Sequence, residues 1–181
     1  MQVPWIDSVK SAGYLTVYNG IEQGKWSGVF KLLLHNFLSL TNKKIDLKPE
    51  KDKDAANVVM QIADGVGEFT YDHTSAKAVF SATAAHGKTI PFQRDGHMEK
   101  AAVFLPKSPT YDHKNHLYFI AAHELVHAAG LVTNDEHGND GVFMNLPNLL
   151  PGGKVNAQKG SKVMPPLFLD SKTHSGLGSI W

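Results

Sequence analysis

One stretch of the chain combines side chains that can bind a metal with one that can move a proton: YFIAAHELVHAAGLVTNDEHGNDGVFMNLPN, residues 118–148. His123 and His127 are one helical turn apart, so on a helix their imidazoles lie on one face and can bind the same ion. Glu124 lies beside them and can take a proton from water without binding the metal. A catalytic zinc site uses three protein ligands and leaves one position open, so a third ligand is expected further along the chain.

The candidates for this third ligand follow a glycine. A glutamate on a later helix, as in thermolysin-like enzymes, is excluded because the only glutamate after His127 is Glu136, which lies too near. Gly130 can end the helix and turn the chain sharply, which brings Asp135 or His137 back toward the metal. We favour His137, since a neutral imidazole is the commoner partner of two other imidazoles. Asp135 is the alternative ligand, or an acceptor that orients an imidazole N–H.

The motif as a whole resembles the metzincin clan of zinc peptidases, and within it the matrixins. YFIAAHELVHAAGL is similar to the matrixin active-site helix, and GVFMN is similar to the Met-turn. The resemblance implies that Met144 packs beneath the metal. It also implies a twisted sheet with two long helices and an edge strand above the cleft. The clan usually places its third ligand three residues after the glycine; that position is Thr133 here, so the loop is lengthened if His137 binds the metal.

The apolar pattern predicts elements that could hold this site. Trp26, Val29, Phe30, Leu33, Phe37 and Leu40 recur at helical spacing, and a second helix is predicted from Thr110 or Asp112 to Gly130. Strands are predicted at 14–19, 43–49, 57–64 and 100–106, with a further one considered at 78–84 in an otherwise loop-like 65–97. Beyond Gly130 the periodicity is weak, which predicts an irregular tail.

These elements predict an α+β fold, with a twisted mixed β-sheet and two long helices. We interpret 1–181 as a single catalytic domain. Its upper subdomain is 1–130, with the active-site helix, and its small, irregular lower subdomain is 131–181, with the Met-turn.

Composition narrows the classes of function. The 181 residues are 42% hydrophobic and 19% charged, and their net charge of +1 gives no field that favours nucleic acid or membrane. Cysteine is absent, which excludes disulfides and thiolate ligands. No apolar stretch is long enough to span a bilayer. We expect a soluble protein; no signal peptide is visible, and localisation and oligomeric state stay open.

Other histidines prompt a second hypothesis. His73, His86 and His97 lie in the polar 65–97 region, with Asp72 as an acidic candidate. TAAHGKTIPFQRDGH is faintly similar to the matrixin loop that carries a structural zinc. Loop histidines are more often solvated, so a second zinc is the less favoured interpretation.

The sequence therefore predicts a zinc-dependent endopeptidase with one catalytic Zn²⁺ held by His123, His127 and His137. Glu124 acts as the general base, and an extended peptide or protein substrate lies against an edge strand near 78–84. Two alternatives stay open: a zinc amide hydrolase acting on cell-wall peptide, and a non-catalytic binding module stapled by zinc.

Overall fold

The computed structural model describes residues 2–81, 84, 86–110, 113–132, 169 and 171–181. They form an α+β fold with a twisted mixed sheet and several helices, as predicted. The elements in chain order are α1 (Asp7–Ala12), β1 (Tyr14–Gly20), a 3-10 turn (Gly24–Trp26), α2 (Val29–Leu40), β2 (Asp46–Glu50), β3 (Val58–Ala63), β4 (Val66–Tyr71), β5 (Thr74–Val79), β6 (Lys88–Arg94), β7 (His97–Pro106), α3 (Lys114–Ala128) and α4 (Ser171–Ile180).

The main sheet has five strands in the order β2-β1-β3-β7-β6. The first four are parallel, and β6 pairs antiparallel with β7 at one edge. β4 and β5 form a separate antiparallel hairpin. Mixed sheets of this kind often carry their antiparallel strand at the edge.

Alternate residues of the central strands point to opposite faces of the sheet, and each face has its own core. On one face, residues such as Met60 and Val103 join the apolar side chains of α2 and α3. On the other, Val59 and Phe104 pack with Phe69 of the β4–β5 hairpin. The sheet is therefore covered by helices on one side and by the hairpin on the other.

Helix α2 confirms the predicted apolar spacing but begins later than expected. Val29, Phe30, Leu33, Phe37 and Leu40 are its buried residues. Trp26 lies before the helix, in the 3-10 turn, and its Nε1 donates to the Pro106 carbonyl oxygen at 2.8 Å.

Helix α3 is the predicted active-site helix. It begins at Lys114, where the His113 ring accepts from the Asn115 backbone N–H, and it ends at Ala128. Twelve of its fifteen residues are buried, so it is a core helix rather than an amphipathic one. A buried helix is held rigidly by its neighbours, which suits a helix that must position side chains.

The prediction of a loop-like 65–97 is wrong, because three strands lie there. Two tight turns carry the chain from strand to strand. Asp72 and His73 connect β4 to β5, Asp95 and Gly96 connect β6 to β7, and all four have positive φ. Asp-Gly is a strong hairpin signal, and the exposed and buried residues of β4 alternate as in a half-buried strand.

The prediction of a wholly irregular tail also needs correction, since Ser171–Ile180 forms helix α4. Helix α1 was not predicted either. The Met-turn region and most of the predicted lower subdomain lie outside the described residues. Across the part of the chain that the structure describes, no helix has the length and apolar character needed to cross a membrane.

Both ends of the described chain meet the end of α3. Gly130 has φ +119°, and its carbonyl oxygen accepts from the Val3 N–H at 2.9 Å. The Trp5 indole donates to the Ala128 carbonyl oxygen at 2.9 Å, and the Trp181 indole donates to that of Ala129 at 2.7 Å. These donors satisfy carbonyls that a helix end leaves without an intrahelical partner.

Gly130→Ala should destabilise the fold strongly. A Cβ there would lie 2.5 Å from Ile180 Cδ1 and 2.6 Å from the Val3 carbonyl oxygen, besides the strained φ. We expect a loss of at least about 3 kcal/mol in the free energy of unfolding. Gly13→Ala is the matched control, because Gly13 has φ +70° but no atom within 4 Å of its would-be Cβ; it should lose about 1 kcal/mol. Equal losses in denaturant titrations would contradict this packing.

Candidate metal centre

Helix α3 brings His123 and His127 together, as predicted from their spacing. Their Nε2 atoms are 3.0 Å apart, and their rings meet nearly edge to face, with centroids 4.6 Å apart. Two imidazole nitrogens bound to one tetrahedral zinc at ~2.0–2.1 Å are ~3.3 Å apart. The two nitrogens therefore have a separation close to the one that a shared zinc ion requires.

The other nitrogen of His127 is held by the backbone. Its Nδ1 lies 2.5 Å from the Leu131 carbonyl oxygen. A carbonyl oxygen only accepts hydrogen bonds, so Nδ1 carries the hydrogen, and a neutral His127 ring then has its lone pair on Nε2. Such a contact behind a ligating histidine fixes both the tautomer and the ring orientation.

Glu124 is buried beside the two histidines, with 3% of its surface exposed. The Thr89 hydroxyl lies 2.8 Å from Glu124 Oε2 and 2.9 Å from the Glu124 carbonyl oxygen. Burial raises the pKa of Glu124 to about 7, although hydrogen bonds from Thr89 and the Gly87 backbone N–H act in the opposite direction. A carboxyl group with a pKa near neutrality can both accept and release a proton there.

The close approach of Gly87 to this carboxyl group requires a glycine. A Cβ at position 87 would lie 2.6 Å from Glu124 Cγ and 2.9 Å from both Leu105 Cδ2 and the Phe104 carbonyl oxygen. These distances are too short for any real side chain. The absence of a Cβ therefore lets the backbone before β6 reach the Glu124 carboxylate.

The site opens into a cleft of about 320 Å³. One wall is the beginning of β6 with the residues before it, and the other is α3. The lining residues are His86, Gly87, Lys88, Thr89, His123, Glu124, His127 and Val132.

The loop and Met-turn residues considered for the site fall outside the described part of the chain. Thr133, Asp135, His137 and Met144 lie outside the described residues. Within the described ranges, no three or more His, Asp or Glu side chains are grouped so as to hold a metal ion. His123 and His127 are thus the part of the predicted ligand set that the structure brings together.

The residues considered for a second zinc are not brought together. Asp72 forms an ion pair with Arg94, and His97 Nδ1 contacts the Asp95 carbonyl oxygen at 3.0 Å. His73 occupies the β4–β5 turn. His86 lines the cleft that also holds His123, Glu124 and His127.

The predicted edge strand near 78–84 is in the wrong place. Ala78 and Val79 end β5, whose hairpin packs on the face of the sheet opposite α3. The edge strand beside the site is β6, which lies in the region whose polar composition predicts a loop. Thr89 and Gly87 were missed with it; the Asp-Gly turn after β6 could have revealed the strand, whereas nothing near Thr89 in the sequence indicates its contact with Glu124.

These features define an α+β protein in which a histidine pair and a buried glutamate share one cleft with an edge strand. No protein-family model matches the chain, and no curated protein matches it.

The pKa of Glu124 predicts a pH-dependent stability in metal-free protein. A carboxyl pKa raised from 4.5 to about 7 means that the folded state favours the protonated form. The stability this contributes is present below about pH 4.5 and is lost as the pH rises through about 7, a change of about 3 kcal/mol.

Glu124→Gln removes the titrating group and nearly keeps its shape. Denaturant titrations with chelator should show wild-type stability falling relative to this variant between pH 4.5 and 8. Thr89→Ser keeps the hydroxyl and Glu124, so it should follow the wild-type profile. Parallel profiles for wild type and Glu124→Gln would contradict the raised pKa.

Proposed function

We propose that this protein is a zinc-dependent endopeptidase of the metzincin type, closest to the matrixins. The observation that carries the proposal is the 3.0 Å separation of the His123 and His127 Nε2 atoms in a cleft that also holds Glu124. A histidine pair alone would suit a structural metal. A buried glutamate with a pKa near 7 in the same cleft favours catalysis.

The donor set fits zinc. Imidazole nitrogens are good zinc ligands, and the Leu131 contact leaves His127 Nε2 free of hydrogen in the neutral ring. His137 is the proposed third ligand and Asp135 the alternative. Bound zinc would polarise the scissile carbonyl and make an attacking water more acidic.

Glu124 moves the proton in this proposal. Its carboxylate takes a proton from the attacking water and passes it to the leaving amine. Burial raises the pKa of Glu124 to about 7 in the metal-free protein, and a bound zinc ion would lower it, which would favour the carboxylate that accepts the proton from water. Burial is the cause of that pKa, so the core position of α3 has a direct chemical consequence.

Strand β6 is the proposed docking edge for an extended substrate. In the main sheet it is hydrogen-bonded to β7 and is the last strand in the order. A peptide can add to such an edge through main-chain hydrogen bonds. The beginning of β6 lines the cleft, so a peptide there would pass close to the histidine pair.

The fold also supports the metzincin proposal. The resemblance implies a twisted sheet, two long helices and an edge strand above the cleft. The mixed sheet, the helices α2 and α3 packed on one face, and β6 along the cleft agree with that expectation.

Purified protein should contain about one zinc per chain and cleave members of a peptide library. Glu124→Gln should keep the zinc and the fold but lose roughly 10²–10⁴-fold in kcat, because the base is lost and no ligand is. Elemental analysis and single-peptide kinetics measure the two effects. His35→Gln, on α2 outside the cleft, is the control.

The outcomes separate the alternatives. Cleavage of cell-wall peptide without cleavage of the library would favour the amide hydrolase. Zinc that is retained without any hydrolysis would favour a stapled binding module. Folded protein that binds no zinc would refute all three.

The third ligand is tested by paired substitution. His137→Ala should weaken zinc binding strongly, since it removes one of three ligands. Asp135→Ala should weaken it less, by roughly 10–100-fold, as expected for loss of an orienting contact. Competition titrations with a zinc chelator measure both affinities. If Asp135→Ala strips the zinc and His137→Ala keeps it, the assignment is reversed.

A further inference from the structure

We propose that Thr89 is a positioning residue for Glu124. Its hydroxyl, supplied by the edge strand, holds the Glu124 carboxylate in the orientation from which it serves as base. This inference rests on the proposed function. It adds a residue outside the histidine-glutamate motif whose side chain determines how well that motif works.

The Thr89 hydroxyl makes two contacts with Glu124. Thr89 Oγ1 lies 2.8 Å from Glu124 Oε2 and 2.9 Å from the Glu124 carbonyl oxygen. The hydroxyl therefore contacts the backbone and the side chain of one residue, 35 positions away in the chain. Contact with the backbone places Glu124 relative to β6, and contact with Oε2 selects the direction of its carboxylate.

Thr89 is suited to this role by its shape. A β-branched side chain has few χ1 rotamers, so its hydroxyl is held in place once the backbone is fixed. The backbone is fixed by pairing with β7, where Thr89 lies opposite Val103. Because Thr89 is held by the sheet, its hydroxyl restricts the motion of the Glu124 side chain on α3.

Gly87 packs against the Glu124 side chain as well. Its would-be Cβ position is 2.6 Å from Glu124 Cγ, so the backbone before β6 packs directly on the glutamate side chain. Backbone at 87 limits where the carboxylate can move, and the hydroxyl at 89 sets its orientation within that space. Packing by Gly87 thus restricts where the Glu124 carboxylate lies, whereas the Thr89 hydroxyl determines which way the carboxylate points.

Loss of the hydroxyl should affect the chemical step more than substrate binding. A base that is misdirected by about 1 Å can lose on the order of 100-fold in rate. Substrate affinity depends on the edge strand, which keeps its backbone in a Thr89 variant. We therefore expect kcat to fall while KM changes little.

The experiment compares Thr89→Val, which removes the hydroxyl but keeps the shape, with Thr89→Ser, which keeps the hydroxyl. We expect Thr89→Val to lower kcat roughly 10–100-fold, with KM within about twofold and unchanged zinc content. Thr89→Ser should recover most of the loss. Thr70→Val is the matched control: the Thr70 hydroxyl pairs with Ser75 on the exposed β4–β5 hairpin, so its loss should leave kcat unchanged.

A second readout needs no activity. In metal-free, ¹³C-labelled protein at fixed pH, the Glu124 carboxyl resonance is identified as the one missing from Glu124→Gln. Thr89→Val should shift it, while Thr89→Ser and Thr70→Val should leave it near its wild-type position.

The kinetics and the carboxyl resonance together distinguish failure of the proposed function from failure of the positioning role of Thr89. An inactive wild type refutes the proposed function, and the resonance then decides whether Thr89 orients the carboxylate. An active wild type with unchanged kcat in Thr89→Val overturns the positioning role. So does a Thr89→Ser variant as impaired as Thr89→Val, because a simple packing defect would then explain both.

Discussion

The contact between His127 Nδ1 and the Leu131 carbonyl oxygen decides which nitrogen of the ring faces the cleft. The carbonyl reaches the ring because the chain reverses at Gly130, where φ is +119°. No side chain fits at that glycine, since Val3 and Ile180 pack against it. The geometry of the histidine pair on α3 therefore depends on residues near both ends of the described chain, which lie far from the histidines in sequence.

Two opposing effects determine the pKa of Glu124. Burial in the core disfavours its charge, whereas hydrogen bonds from Thr89 on β6 and from the Gly87 N–H just before β6 favour it. A carboxylate with no donors would become too weak an acid, and one exposed to water would become too weak a base. Because Thr89 lies on β6 and Gly87 directly before it, the strand that is proposed to receive substrate would also set the pKa of the proposed base.

Local patterns predicted most of the scaffold. The spacing of Val29, Leu33 and Phe37 predicts α2. The strands are predicted at 14–19 by β-branched and aromatic residues, at 57–64 by alternation and at 100–106 by a short apolar run, and all three are confirmed. The prediction of a loop over 65–97 is wrong because the polar composition of this region was given more weight than its Asp-Gly turn signal. Helix α4 is not evident from the sequence because it contains glycines, which lower helix propensity, so its stability comes from tertiary packing. The histidine pair follows from helical period, whereas the Thr89 contact requires the strand order, which no local pattern encodes.

The way the two ends meet the end of α3 also bears on how the protein folds. Trp5 contacts a carbonyl 123 positions away, and Ser179 contacts Gln2 across 177 positions. Contacts of such long range close large loops, whose entropy must be lost before the contacts form. Helix α3 and the hairpins can form earlier, from neighbouring residues. The contacts of Trp5 and Ser179 are therefore expected to form after the local elements, so the end of α3 is completed among the last steps of folding.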